Sequence, residues 1–141
     1  MPGIDKAELL ARVRLFAGLT KRDLNHVARR ADVIQVSAGS EIVREDTPGH
    51  ELYLIASGQA AVRRRGRRVA SLGAGEYFGE LAILDGGIRT ATVVAETDLQ
   101  LLVLGQREVF AVLDDKPAVA IKLLTAMAHR LREADVKATT S

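Results

Sequence analysis

The chain has 141 residues, 48% hydrophobic and 27% charged, the balance of one globular domain with its own core and not of a disordered segment. Cys is absent, which removes disulfides, thiol nucleophiles and thiolate metal sites together, and no apolar run nears the roughly 20 residues of a membrane-spanning helix. Lys plus Arg is 20 against 18 for Asp plus Glu, a net charge of +2, so nothing pulls the whole chain toward nucleic acid or a membrane.

The opening Met1-Pro2-Gly3-Ile4-Asp5-Lys6 lacks the basic region and apolar core of a secretory signal, and a cytoplasmic location is expected. Leu9, Leu10, Val13 and Phe16 recur near the helical period. Thr20 is placed to cap a second helix carrying Leu24, Val27, Ala28 and Ala31, so residues 1–31 read as N-terminal helices. From Asp32 to Leu104 the pattern changes to short alternating runs at 33–36, 41–44, 52–57, 60–64, 67–72, 90–94 and 99–104. Gly39, Gly49, Gly58, Gly66, Gly73 and Gly86-Gly87 separate them, which predicts an antiparallel sandwich or barrel. A parallel doubly wound sheet is not expected, because strands do not alternate with long helices. Helix returns at 106–113 and again after Asp115, with Pro117 in the first turn. There Ala120, Leu124, Met127, Leu131 and Ala134 repeat at steps of four and three, a short heptad-like seam, and the tail 137–141 is expected to fray. With no internal repeat or linker, residues 1–141 form a single domain.

Enzymatic signatures are missing. His26, His50 and His129 stand far apart, without the spacing of metal ligands, and neither a nucleophile elbow nor a phosphate loop occurs. Gly73-Ala74-Gly75-Glu76-Tyr77-Phe78-Gly79 falls short of a dinucleotide fingerprint and has no parallel-sheet unit before it. No catalytic residue, metal or cofactor is therefore assigned. The run Arg63-Arg64-Arg65-Gly66-Arg67-Arg68 puts five cations in six positions. It reads either as a patch for phosphate or an acidic partner, or as a solvated hairpin turning at Gly66. The lack of interleaved aromatics and of a recognition helix points to the hairpin.

The segment Tyr77-Phe78-Gly79-Glu80-Leu81-Ala82-Ile83-Leu84-Asp85-Gly86-Gly87-Ile88-Arg89-Thr90-Ala91-Thr92-Val93 carries the most chemistry. Gly79 lets backbone approach a ligand closely, the turn after it presents free N–H groups, and Arg89 adds full charge and forked donors. Glu80 would repel a bare phosphate but suits a hydroxyl beside one. A sugar phosphate meets both demands. A plain Glu80–Arg89 salt bridge, worth roughly 0–1 kcal/mol, accounts for the same residues, and by themselves they leave the two readings open.

Phe78-Gly79-Glu80-Leu81-Ala82 and Arg89-Thr90-Ala91-Thr92-Val93 closely resemble the phosphate-binding cassette of the cyclic nucleotide-binding domain family, with no departure at the core positions. The resemblance covers nearly the whole chain. It implies N-terminal helices (1–31), an eight-stranded antiparallel β-roll of jelly-roll type (32–104) interrupted by the cassette (78–93) with its short helix, and two C-terminal helices (105–136). It also implies a regulatory role without catalysis, for cAMP first and cGMP second. Carried over by position, Glu80 accepts from the ribose 2′-hydroxyl. Arg89 pairs with the cyclic phosphate, helped by backbone N–H groups near Ala82 and Ala91, with Gly79 and Leu81 beside them. Thr90 tilts toward cGMP tolerance without deciding it. In the family the last helix is a lid or dimer seam whose end meets the purine, so Arg130, Arg132 and Asp135 are candidate base contacts. No DNA-binding, kinase or channel segment is read within these 141 residues, and the module, a fragment or a free-standing protein, is expected to relay its state through the last helix to an unidentified effector, as a possible homodimer. It is not expected to bind nucleic acid or membrane alone. The alternative is an interaction module whose β-roll no longer binds a cyclic nucleotide.

Overall fold

The computed structural model describes residues 5–140, with side chains through Asp135. Asp5 caps helix α1 (Lys6–Ala11) by accepting from the Glu8 N–H at 3.2 Å, and a 3-10 turn follows at Arg14–Phe16. Helix α2 (Lys21–Ala28) opens on a reciprocal capping box. The Thr20 hydroxyl accepts from the Asp23 N–H at 3.1 Å while the Asp23 carboxylate accepts from the Thr20 N–H at 3.3 Å.

Eight strands follow: β1 (Asp32–Val36), β2 (Glu41–Val43), β3 (Glu51–Ser57), β4 (Ala60–Arg64), β5 (Arg67–Leu72), β6 (Tyr77–Phe78), β7 (Thr92–Ala95) and β8 (Leu99–Gly105). Helix α3 (Glu80–Asp85) lies between β6 and β7, and α4 (Gln106–Asp115) and α5 (Pro117–Thr140) close the chain. The strands form two four-stranded antiparallel sheets, ordered β1-β8-β3-β6 and β2-β7-β4-β5, the β-roll that the family resemblance implies.

The β3–β8 pair is buried on both faces. Leu52, Leu54 and Ala56 on β3, with Leu102 and Leu104 on β8, pack against the helical layer of Leu10, Phe16, Val27, Val112, Val119 and Leu123. Ile55, Leu99 and Leu101 face the other way, into the roll against Phe78 and Val93. Burial on two sides is why these strands read as continuous apolar runs and not as a strict alternation.

Beyond shifts of one or two residues at other element ends, four features differ from the sequence reading. β6 has two residues, too few for a periodic signal. β7 begins at Thr92 and not at residue 90, because the chain before it pairs elsewhere. Arg89 N–H donates to the Thr47 carbonyl at 2.8 Å, and Asp46 N–H to the Arg89 carbonyl at 2.9 Å. Helix α5 runs on through residues 137–140, where no Gly or Pro interrupts it, instead of fraying; Ser141 lies outside the described residues. Finally, α5 meets the core through Val119 and Leu123 with Met127 packed against them, so Leu124 and Leu131 of the expected seam stand 62% and 67% exposed. One residue is 100° of helix, and the core-facing stripe begins one position earlier than the seam.

Candidate functional site

Gly79 sits between β6 and α3 with φ +96°, a conformation that only glycine adopts freely. A Cβ there would also lie 2.5 Å from Arg89 Nη1 and 2.7 Å from the Glu51 carbonyl, so the side chain's absence makes room for the guanidinium. Gly49 does the same from the other side, where a Cβ would overlap the Arg89 side chain. Around this point the roll opens into a cleft of about 570 Å3. Gly79, Glu80, Leu81 and Ala82 form one side of its lining, Arg89, Thr90 and Ala91 another, and Val62, Arg64 and Ser71 of the β4–β5 hairpin a third.

Arg89 is only 4% exposed. Its Nη1 donates to the Gly79 carbonyl at 3.0 Å and its Nη2 to the Glu51 carbonyl at 2.9 Å, with the Glu51 carboxylate at 3.5 Å. Its Cζ also lies 5.9 Å from the centre of the Tyr53 ring, which stacks on Phe78 at 5.1 Å and 13°. Two main-chain carbonyls and an aromatic face thus fix the fork. A guanidinium has five N–H donors, so these contacts leave donors over for an anion.

Glu80 is 5% exposed, an unusual place for a carboxylate. Its Oε1 accepts from Arg130 Nη1 at 2.6 Å, a charge-assisted bond reaching in from α5. The Arg130 side chain itself is 55% exposed. Oε2 keeps its acceptor capacity for a hydroxyl. No fully buried side-chain nitrogen or oxygen among the described residues lacks a partner, so both buried charges are satisfied.

Glu80 and Arg89 therefore line one cleft without pairing with each other, and the simple salt bridge left open by the sequence is not what the fold makes. Neighbouring phenols stay protonated. Burial, then the Glu51 carboxylate, push Tyr53 above its ordinary pKa, with Arg89 pulling the other way; burial and Glu80 do the same to Tyr77, against Arg130.

All seven cassette residues singled out in the sequence line the cleft, and so does Arg130. Arg132 and Asp135 do not; both are exposed, and a two-residue step turns Arg132 about 200° around the helix from Arg130. The sequence reading missed Glu51, Gly49 and Tyr53 as supports of Arg89, and Arg130 as the partner of Glu80. Gly49 left a signal as a strand break and Arg130 as a candidate base contact, whereas Glu51 and Tyr53 left none. No group of three His, Asp or Glu that could hold a metal ion occurs among the described residues. No described helix is long and apolar enough to cross a membrane.

Comparison with known proteins agrees with this geometry. The profile of the cyclic nucleotide-binding domain matches residues 33–116, more than half of the chain. The cyclic AMP receptor protein of Thermus thermophilus is 36% identical over 128 residues, covering 87% of this chain and 59% of that protein. The crystal structure of the Thermus thermophilus catabolite activator protein superposes with a TM-score of 0.81 at 36% identity, over 87% of this chain and 60% of the other. The cAMP-dependent protein kinase regulatory subunit of Aspergillus niger is 39% identical over 99 residues, 69% of this chain and 24% of the subunit. The chain thus spans about three fifths of the first of these relatives and a quarter of the kinase subunit. On the strength of the profile match, the identity and the roll with its buried Glu80 and Arg89, the chain belongs to the cyclic nucleotide-binding domain family.

Proposed function

We propose that the cleft binds a purine cyclic mononucleotide, cAMP foremost with cGMP also admitted, as the input of a regulatory, non-catalytic module acting in the cytoplasm. The observation that carries this reading is the burial of Arg89 and Glu80, 4% and 5% exposed, along a single cleft. Arg89 takes the cyclic phosphate through the donors its carbonyl contacts leave over, and Glu80 accepts from the ribose 2′-hydroxyl. Gly79, Leu81, Ala82 and Ala91 supply close-fitting backbone and small side chains around the sugar phosphate. Thr90, exposed at the cleft, is available to a guanine amino group and favours neither base decisively. The cAMP assignment rests on the names of the relatives, among them a Toxoplasma gondii kinase regulatory domain crystallised with cAMP, with a TM-score of 0.68 at 32% identity over 76% of this chain and 42% of the other.

The output is α5. Arg130 ties it directly to Glu80, and its exposed Leu124 and Leu131 suit a second copy of the helix or an effector. As a homodimer through α5, the protein sediments at twice its monomer mass, and Leu124→Glu brings it to monomer mass with its circular dichroism unchanged. Displacement of a fluorescent cyclic nucleotide tests the ligand: cAMP and cGMP compete and 5′-AMP does not. Failure of every cyclic nucleotide to bind would leave the module as a protein-interaction domain that keeps the roll as architecture.

A further inference from the structure

The arginine-rich run forms the tip of the β4–β5 hairpin, and its register sorts the five charges onto two faces. Arg65 and Gly66 make the two-residue turn, with φ +52° and +78°. Arg63 pairs opposite Arg68 and Arg64 opposite Arg67, after a bulge that shifts the register between Val62 and Arg63. Residues directly opposite in an antiparallel pair share a face, and like charges so placed repel. On one face the repulsion is relieved within the protein, because Arg68 Nη2 donates to Glu96 at 2.7 Å. On the other face it is not: neither the Arg64 nor the Arg67 side chain has a hydrogen bond or ion pair among the described residues. Arg64 lines the cleft beside Val62, and Arg67 stands opposite Arg64 on the same face of the hairpin. Arg64 also borders a second, outer hollow shared with Arg89 and Thr90. There Glu45 and Asp46 lie beside Arg65, and Glu45 accepts from the Arg65 N–H at 3.0 Å. Glu45 and Asp46 line this hollow with Arg64 as well, but neither forms an ion pair with it.

We propose that Arg64 and Arg67 form an outer anion-recruiting pair for the cleft, which draws the singly charged cyclic phosphate toward Arg89 and sets the rate of its capture. This rests on the cyclic-nucleotide reading above and adds two residues outside the cassette to it. The physical reason is that Arg89 is buried and already bonded to carbonyls, so its own field reaches solvent poorly. Arg64 at the cleft, with Arg67 paired opposite it and neither in an ion pair, acts within the Debye length, about 8–10 Å at moderate salt. Charged clefts of this kind raise on-rates roughly tenfold or more, and the effect is lost as salt rises.

Stopped-flow association of a fluorescent cyclic nucleotide, measured from low to high ionic strength, tests it in the whole protein. For R64Q/R67Q the association rate falls at least about threefold at low salt, its salt dependence flattens, and the dissociation rate changes much less. R63Q, on the opposite face, removes one charge and serves as the comparison for R64Q; the cleft-facing change has the larger effect. Equal effects of R63Q and R64Q, or unchanged association in R64Q/R67Q, would overturn the proposal while leaving the cyclic-nucleotide reading intact. No binding of the probe to the wild-type protein at any salt would overturn both.

Discussion

The two buried charges of the cleft are held by different kinds of partner. Arg89 is gripped by main-chain carbonyls of Gly79 and Glu51 and lies over Tyr53, all parts of the roll itself. Glu80 is gripped by one side chain, Arg130, which comes from α5 and is more than half exposed. The Glu51 carbonyl sits in β3 and the Gly79 carbonyl in the turn between β6 and α3, both main chain, whereas an exposed arginine on the last helix moves with that helix. The Arg89 end is therefore the more fixed side of the cleft, and the Glu80 end is where the proposed ligand would meet the position of the helix. Coupling of about 1–3 kcal/mol between them is the usual scale of allosteric switching.

The comparison breaks most visibly at Arg89. Arg89→Ala lowers cyclic nucleotide affinity by at least about 1.5–3 kcal/mol, tenfold or more, by titration calorimetry. It also lowers the melting temperature, because the Gly79 and Glu51 carbonyls lose their donor. An Arg89→Ala protein that binds as tightly as the parent would mean the anchor is elsewhere.

Glu80→Ala comes next, at about 1.5 kcal/mol for a ribonucleotide, the scale of one charge-assisted hydrogen bond. The same variant binds the 2′-deoxy analogue as the wild type does. An equal loss for both analogues would remove the hydroxyl role from Glu80.

Smaller still is Arg130→Ala, about 1 kcal/mol of stability, between an exposed and a fully buried ion pair. A double-mutant cycle with Glu80→Ala gives the coupling directly, and additive effects would show that the bridge to α5 carries no energy.

The smallest effect belongs to an ion pair of the helical layer that does not line the cleft. Lys116 Nζ lies 2.6 Å from the Asp23 carboxylate, and their hydrogen bond holds the Asp23 pKa below its ordinary value. A lowered carboxylate pKa means stability that is present above the unfolded-state pKa and lost as pH falls through the folded one. The melting difference between wild type and Lys116→Met is thus present at neutral pH, shrinks below about pH 3.9 and vanishes once Asp23 is protonated. Ligand affinity stays unchanged throughout. A loss of affinity in Lys116→Met would extend the coupled region well beyond Arg130.

Local signals made much of this molecule legible in its residues. Thr20 and Asp23 announce a capped helix, the Gly-punctuated runs announce strands, and Gly66 between arginines announces a hairpin; each depends on neighbours within a few positions. The cassette was legible for the same reason, since Gly79 through Ala91 is one contiguous stretch. Contacts across the fold were not. Glu51 and Gly49 come 38 and 40 positions before Arg89, and Arg130 comes 50 positions after Glu80, distances over which no periodicity speaks. Likewise, the seam on α5 was visible as spacing, but which stripe meets the core depends on how the helix is rotated against β3 and β8.

The sequence by itself determined which elements form and which segment is the candidate site, because capping, period and turn chemistry act between near neighbours. Tertiary structure alone decided that Glu80 and Arg89 are buried along one cleft yet satisfied by other partners, and that Arg64, paired opposite Arg67, lines that cleft. Burial and register are properties of packed surfaces, and they exist only once distant segments have met.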